Sequence, residues 1–204
     1  MITIIDYGLG NIQAFVNVYR RLDIPVRIAR EPADVATAER IILPGVGAFD
    51  HAMELLQKSG MRETLDTVVT TGNVPVLGIC VGMQILAASS EEGRLRGLGW
   101  IDGVVRKLDV ARAATPIRLP HMGWNDVDPL TAGGLFAGLE TAARFYFLHS
   151  YYFACSQADN ELARTDYGAP FASAVRSGPI YGVQFHPEKS HHYGVRLLQN
   201  FAGL

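Results

Sequence analysis

The stretch PVLGICVGMQIL, residues 75–86, sets a lone cysteine between two glycines directly after an apolar run. A short continuous apolar run is what a strand buried on both faces requires. Glycines two residues to either side of Cys80 let the chain turn sharply from that strand into a helix, with the sulfur at the apex. The competing reading makes Cys80 a small buried hydrophobe, as most free cysteines are.

The flanking chain continues the alternation of strands and helices. Residues 2–6 read as a buried strand. Asn11 can cap a helix whose apolar residues Ile12, Phe15, Val16, Tyr19 and Leu22 share one face. Strands are predicted at 25–30, 40–43 and 74–79, the second ending at the turn Pro44-Gly45. Helices are predicted at 51–59, 61–71 and 81–88, the first two followed by Gly60 and Gly72 as C-terminal stops. The second half is richer in strands, at 100–108, 144–152, 171–175 and 180–185. Ser177-Gly178-Pro179 turns the last two into a hairpin, and a final helix starts at Ser190. The pattern predicts an α/β fold, a mostly parallel central sheet with helices on both faces. A single domain over residues 1–204 is expected, since no repeat or linker-like stretch divides the chain.

Composition excludes several classes. A formal charge of −2 gives no electrostatic reason to expect nucleic acid or an anionic membrane. The N-terminus MITIIDYG lacks the basic region of a secretory signal. The weakly polar run 75–88 is shorter than the roughly 20 residues a membrane helix needs. Two cysteines make no disulfide framework, so reduced thiols and a cytoplasmic location are expected. No C-x-x-C, H-x-x-x-H or H-E-x-x-H spacing occurs, so no metal and no cofactor are predicted. GLGNIQ from Gly8 and GVGAFD from Gly45 both lack the third glycine of a dinucleotide fingerprint. The first reads as a tight turn. The second follows a central strand, where α/β sheets place ligands and a flexible backbone can present N–H groups to an anion.

GICVG, residues 78–82, has the form of the nucleophile elbow, with sulfur replacing a hydroxyl. A thiolate at a helix N-terminus is favoured, and the N–H of Val81 points where an oxyanion would form. Such a nucleophile needs a base and a group to orient that base. Of six histidines, His51, His191 and His192 fall on helices where exposure is the default, and His121 and His149 can be hydrogen-bonded core residues. His186 ends an apolar strand in GVQFHPEKS, with Glu188 two residues on. In an extended stretch the two side chains point the same way, so Glu188 can hold the far nitrogen of the ring. That gives Cys80, His186 and Glu188 as a triad. Cys155, with no elbow around it, reads as packing.

PGVGAF, GICVGMQ and GVQFHPEKS together resemble the class I, triad-type glutamine amidotransferases. With IDYGLGN, PHMGWN and FLHSYY added, the chain resembles in particular the glutaminase subunits of imidazole glycerol phosphate synthases. The resemblance runs from residue 2 to the C-terminal helix. It implies hydrolysis of L-glutamine through a glutamyl thioester on Cys80, with ammonia passed to a separate (βα)₈-barrel cyclase subunit in a heterodimer. That partner makes imidazole glycerol phosphate and AICAR in histidine biosynthesis. It implies an oxyanion hole from the Val46 loop and the N–H of Val81, and glutamine held at Gly47, Gln84, Ser150 and Tyr151. Asn11, Trp124, Tyr146 and Lys189 match positions near the partner interface and the ammonia passage. Val81 stands where leucine is more usual, a change that leaves the backbone N–H in place. EKSHHYG and GLGWIDG look more like a sister group that supplies ammonia for amidination of surface-polysaccharide sugars. A regulatory scaffold is disfavoured because all three triad positions are filled. A cysteine esterase or peptidase would use the same elbow and is separated by substrate turnover.

Overall fold

The computed structural model describes residues 1–71, 73–111, 113–114 and 116–204. Gly72, expected to close the second of the paired helices, lies outside the described residues. The first half runs β1 (Ile2–Ile5), α1 (Ile12–Arg21), β2 (Val26–Ala29), α2 (Pro32–Ala36), β3 (Ile41–Gly45), α3 (Phe49–Lys58), α4 (Arg62–Thr70), β4 (Val76–Cys80) and α5 (Val81–Gln84). The second runs β5 (Ser89–Ser90), β6 (Gly103–Lys107), β7 (His121–Asp126), β8 (Asp128–Pro129), β9 (Arg144–His149), β10 (Tyr151–Cys155), β11 (Glu161–Asp166), β12 (Pro170–Ser177), β13 (Ile180–Val183) and α6 (His191–Ala202).

An eight-stranded sheet takes the order β2-β1-β3-β4-β13-β12-β11-β8. From β2 to β13 every neighbouring pair is parallel. From β13 outward every pair is antiparallel. The change of sense follows from local chemistry: Ser177 pairs with Ile180 across Gly178-Pro179, a loop so short that the chain can only return antiparallel. Gly178 supplies the positive φ, +57°, that this turn needs.

The helices form because their apolar residues recur on one face. In α1, Phe15, Val16, Val18 and Tyr19 are buried, Asn11 Oδ1 accepts from the Ala14 N–H at 3.3 Å, and Arg20 and Arg21 favour the C-terminal end of the dipole. Full burial of Phe15 and Tyr19 contributes about 1.5–3 kcal/mol each. The Tyr19 hydroxyl donates to the Leu198 carbonyl at 3.2 Å and ties α1 to α6.

Three expectations need correction. The helix predicted at 81–88 is regular only over Val81–Gln84, after which Gly97, Leu98 and Ile101 bond back onto the backbone of 85–88. The strand predicted at 144–152 is two strands in different sheets, broken at Ser150. The strand predicted at 100–108 is confined to Gly103–Lys107. β7 and β11 were absent from the reading of the sequence because neither shows the expected pattern. In β7 the exposed residues Met122 and Trp124 alternate with buried His121, the inverse of the usual polarity.

β7 and β9 form a separate two-stranded ribbon, with His121 opposite His149 and Trp124 opposite Tyr146. Phe145 stacks on Phe185 at 4.0 Å and Phe147 meets Phe185 edge-on at 5.6 Å. These contacts lock the ribbon onto the chain just past β13. Among the described residues, no helix is long and apolar enough to cross a membrane.

Candidate active site

Cys80 ends β4 with φ +55° and ψ −113°, outside the regions a side-chain-bearing residue prefers. Such a conformation costs on the order of 1–3 kcal/mol and persists only where the surroundings enforce it. The enforcement is visible at the two glycines. A Cβ at Gly82 would lie 1.9 Å from the Leu43 carbonyl oxygen, and one at Gly78 would lie 2.6 Å from the Gly82 oxygen. The elbow exists because β3, β4 and the start of α5 approach more closely than any larger residue allows. Gly82→Ala is therefore expected to destabilise the chain by about 3 kcal/mol or more, through overpacking against backbone that cannot yield. Thermal unfolding checks this, and an unchanged midpoint would contradict it.

α5 spans only Val81–Gln84, so any help to a thiolate comes from its first free N–H groups rather than from a long macrodipole. On one side of Cys80, its register partner Gly45 leads into Val46 and Gly47. The two glycines differ. A Cβ on Gly45 would sit 2.6 Å from the Gly82 nitrogen, whereas Gly47, at φ +98°, has open space around it. The peptide between Val46 and Gly47 is thus the freer hinge of that loop.

On the other side of Cys80, β13 runs parallel to β4 and delivers Gln184, Phe185 and His186. His186 is fixed through its backbone. Its N–H donates to the Tyr146 carbonyl at 2.8 Å, and its carbonyl accepts from the Ser190 hydroxyl at 2.6 Å. His186 Nδ1 pairs with Glu188 Oε1 at 2.9 Å, and both side chains are 3% exposed. The pair forms as expected but by another geometry. His186 is extended, yet Pro187–Lys189 is a 3₁₀ turn, and that turn folds the carboxylate back under the ring. Burial pulls the His186 pKa down, but hydrogen bonding and charge from Cys80 and from Glu188 outweigh it, and the ring is pushed up to about 10.

A cavity of about 340 Å³ opens over this arrangement. Cys80, His186, Val46, Gly47, Val81, Gln84, Ser150, Tyr151 and Lys189 all line it. Glu188 stands behind His186, away from this cavity. Asn11, Trp124 and Tyr146 are not among its lining residues. Trp124 stacks on His191 at 5.3 Å and meets Tyr146 edge-on at 6.4 Å, and Lys189 Nζ lies 5.8 Å from the centre of the Tyr146 ring, so Trp124 and Tyr146 gather beside Lys189 at the rim. Asn11 is occupied in capping α1.

Sequence reasoning missed Glu92, the one carboxylate among the described residues lining the cavity. Its Oε2 accepts from the Phe49 N–H at 2.9 Å, which holds it at the start of α3. It also missed Gln184, whose Nε2 lies 3.8 Å from Cys80 Sγ. A larger cavity of about 580 Å³ lies by Arg106, Lys107 and Tyr167, and neither Cys80 nor His186 reaches it. Cys155 is partly buried at the end of β10, and burial, with the charge of Glu161, pushes its pKa up to about 12, in keeping with packing.

A cysteine on a strand-to-helix elbow, facing a histidine backed by a buried carboxylate, is an arrangement suited to acyl transfer through a thioester. The family model for glutamine amidotransferase class-I matches residues 3–203. A solved structure described as a glutamine amidotransferase superposes with a TM-score of 0.75 at 20% identity, covering 100% of this chain and 99% of that one, a likeness of fold. The chain is 60% identical over 202 residues, 99% of each chain, to the imidazole glycerol phosphate synthase subunit HisH of Bdellovibrio bacteriovorus. It is 48% identical over 204 residues, 100% of each, to the HisH of Leptospira interrogans. The chain belongs to the class-I glutamine amidotransferases and, within them, to the HisH family.

Proposed function

We propose that this chain is a single-domain cytoplasmic glutaminase that supplies ammonia to a (βα)₈-barrel cyclase subunit making imidazole glycerol phosphate and AICAR. The observation that carries the chemistry is the 2.9 Å His186–Glu188 pair beside a cysteine held at φ +55°. Whole-chain identity to HisH proteins supports the pathway.

In this reading the Cys80 sulfur adds to the side-chain carbonyl carbon of glutamine. The resulting oxyanion is met by the N–H groups of Val81 and the Val46 loop. His186 gives its proton to the departing nitrogen, the C–N bond breaks, and ammonia leaves a glutamyl thioester. His186 then takes a proton from water, which attacks the thioester and returns the sulfur as leaving group. Glu188 orients the ring throughout. Gly47, Gln84, Ser150 and Tyr151 hold the substrate, with Glu92 supplying a carboxylate for its ammonium group.

The interface would be the outer face of the β7–β9 ribbon. Met122 and Leu148, directly opposed, are 61% and 37% exposed, Trp124 is 39% and the neighbouring loop residue Val46 is 42%. Exposed apolar residues grouped in this way, with Val46 and Leu148 lining the cavity itself, fit an interaction site. Trp124, Tyr146, Lys189 and Asn11 would line the junction through which ammonia passes, sealed from water that would protonate it. Glutamine hydrolysis by the chain alone, with the cyclase, and with the cyclase plus its nucleotide substrate tests the assignment. Alignment by the cyclase of the Val46–Gly47 peptide, the freer hinge of that loop, predicts stimulation of about 10²-fold or more, the worth of one oxyanion donor. Equal turnover in all three states would sink it.

A further inference from the structure

Two buried histidines take no part in the chemistry above. His121 and His149 face each other on the inner side of the ribbon, His121 Nδ1 lying 3.0 Å from His149 Nε2. Their remaining nitrogens are also engaged. His149 Nδ1 is 2.8 Å from the Tyr151 carbonyl oxygen, and His121 Nε2 is 3.3 Å from Asn125 Nδ2. His121 is held between the rings of Phe147, at 4.7 Å, and Tyr167, at 3.9 Å.

These contacts admit one arrangement of protons. A carbonyl oxygen only accepts, so His149 Nδ1 carries the hydrogen. In a neutral ring His149 Nε2 must then accept, and His121 Nδ1 must donate to it. His121 Nε2 accepts in turn, from the Asn125 amide, whose nitrogen also donates to the Asp166 carbonyl at 2.8 Å. Burial keeps both rings neutral, pulling His121 down to about 4. His149 goes down to about 3, through burial and the charges of His121 and His186 against the Tyr151 hydrogen bond.

The relay ends on an atom of consequence. The Tyr151 carbonyl accepts a second hydrogen bond, from Gln84 Nε2 at 3.0 Å. Gln84 Nε2 also donates to Gln184 Oε1 at 3.1 Å, and Gln184 Nε2 reaches Cys80 Sγ at 3.8 Å. With both amide hydrogens spent, the Gln84 oxygen is the atom that remains to meet a substrate. His149, Ser150, Tyr151 and Gln84 form one wall of the cavity.

We propose that His149 and His121 are positioning residues for glutamine: their one-way relay from Asn125 pins the Tyr151 carbonyl, and with it the Ser150–Tyr151 backbone and the Gln84 amide. This rests on the glutaminase reading given above. Loss of the relay loosens the pocket wall and leaves the nucleophile and its base untouched, so substrate affinity falls and the chemical step does not.

The test uses the complex with the cyclase subunit and two variants, His149→Leu and His149→Asn. The asparagine amide nitrogen falls close to the place of His149 Nδ1 and can still donate to Tyr151. Removing one partner of a buried hydrogen bond predicts a rise in glutamine KM of about tenfold for His149→Leu, with kcat within about threefold. His149→Asn restores KM to within about threefold of the parent. Alkylation of Cys80 by iodoacetamide proceeds equally in all three proteins. A glutamine-shaped diazoketone labels the leucine variant about tenfold more slowly. An unchanged KM in His149→Leu, equal KM rises in both variants, or a fall confined to kcat overturns the relay. Failure of iodoacetamide to modify Cys80 would instead strike at the glutaminase reading itself. Nitrogen-15 spectra of the unsubstituted protein decide the matter even if the leucine variant does not fold. Both rings must be neutral at pH 7 with the proton on Nδ1, and a proton on His149 Nε2 overturns the proposal.

Discussion

Cys80→Ala is expected to lower glutamine turnover by about 10⁴-fold or more, the scale seen when a covalent nucleophile is removed from an otherwise intact site. The fold draws little on the sulfur: besides His186, its neighbours among the described residues are weak ones, the Leu148 carbonyl at 3.9 Å and Gln184 Nε2 at 3.8 Å. The backbone bend is imposed by Gly78 and Gly82 rather than by the thiol, so the alanine variant keeps the fold. The complex should then separate two activities. Glutamine no longer drives the cyclase, whereas an added ammonium salt still does, because free ammonia bypasses the thioester. A variant that goes on releasing glutamate at the parent rate would remove Cys80 from the chemistry. A variant that fails with ammonium salt as well would point to a damaged interface instead.

The elbow was legible in the sequence because its cause is local. Residues too small to be anything but glycine must flank a bend where three backbone segments meet, and GICVG displays them at fixed spacing. The His186–Glu188 contact was legible for a different reason than the true one. Proximity in sequence guaranteed a meeting, whether the chain was extended or, as it is, turned in a 3₁₀ helix. Glu92 was not legible. It sits in SSEEGRLRG beside another glutamate, and only the long-range bond to the Phe49 N–H brings it to the cavity. The ribbon defeated pattern reading because its polarity is inverted, with Met122 and Trp124 exposed and a histidine pair inside. Such inversions are expected where function overrides packing preference. Antiparallel β11 and β8 escaped notice because their residues, many of them polar, complete the edge of a sheet whose apolar centre lies elsewhere.

Glu188→Gln separates the charge of the third residue from its shape. The glutamine oxygen can still accept from His186 Nδ1, so the ring keeps its orientation while the negative charge behind it disappears. Loss of that charge is expected to cost about 10²- to 10⁴-fold in kcat, by analogy with removal of the carboxylate from a hydrolase triad. The effect should be large here because the carboxylate is buried against the His186 ring at 2.9 Å, and among the described residues its Oε2 has no hydrogen-bond partner. The same substitution has a signature in stability. The folded protein holds the His186 proton up to about pH 10, whereas an unfolded chain releases it near the ordinary histidine value of about 6.5. Between those values the folded state binds more protons than the unfolded one, so its stabilising contribution is complete below about 6.5 and is lost as pH rises through about 10. Without the carboxylate the folded pKa drops, and the decline ends at a lower pH with a smaller total loss. Denaturant unfolding of the two proteins from pH 6 to 10 measures this directly. Parallel stability curves would mean that Glu188 does not hold the His186 proton, and a kcat unchanged in the glutamine variant would mean that its charge does not serve the reaction.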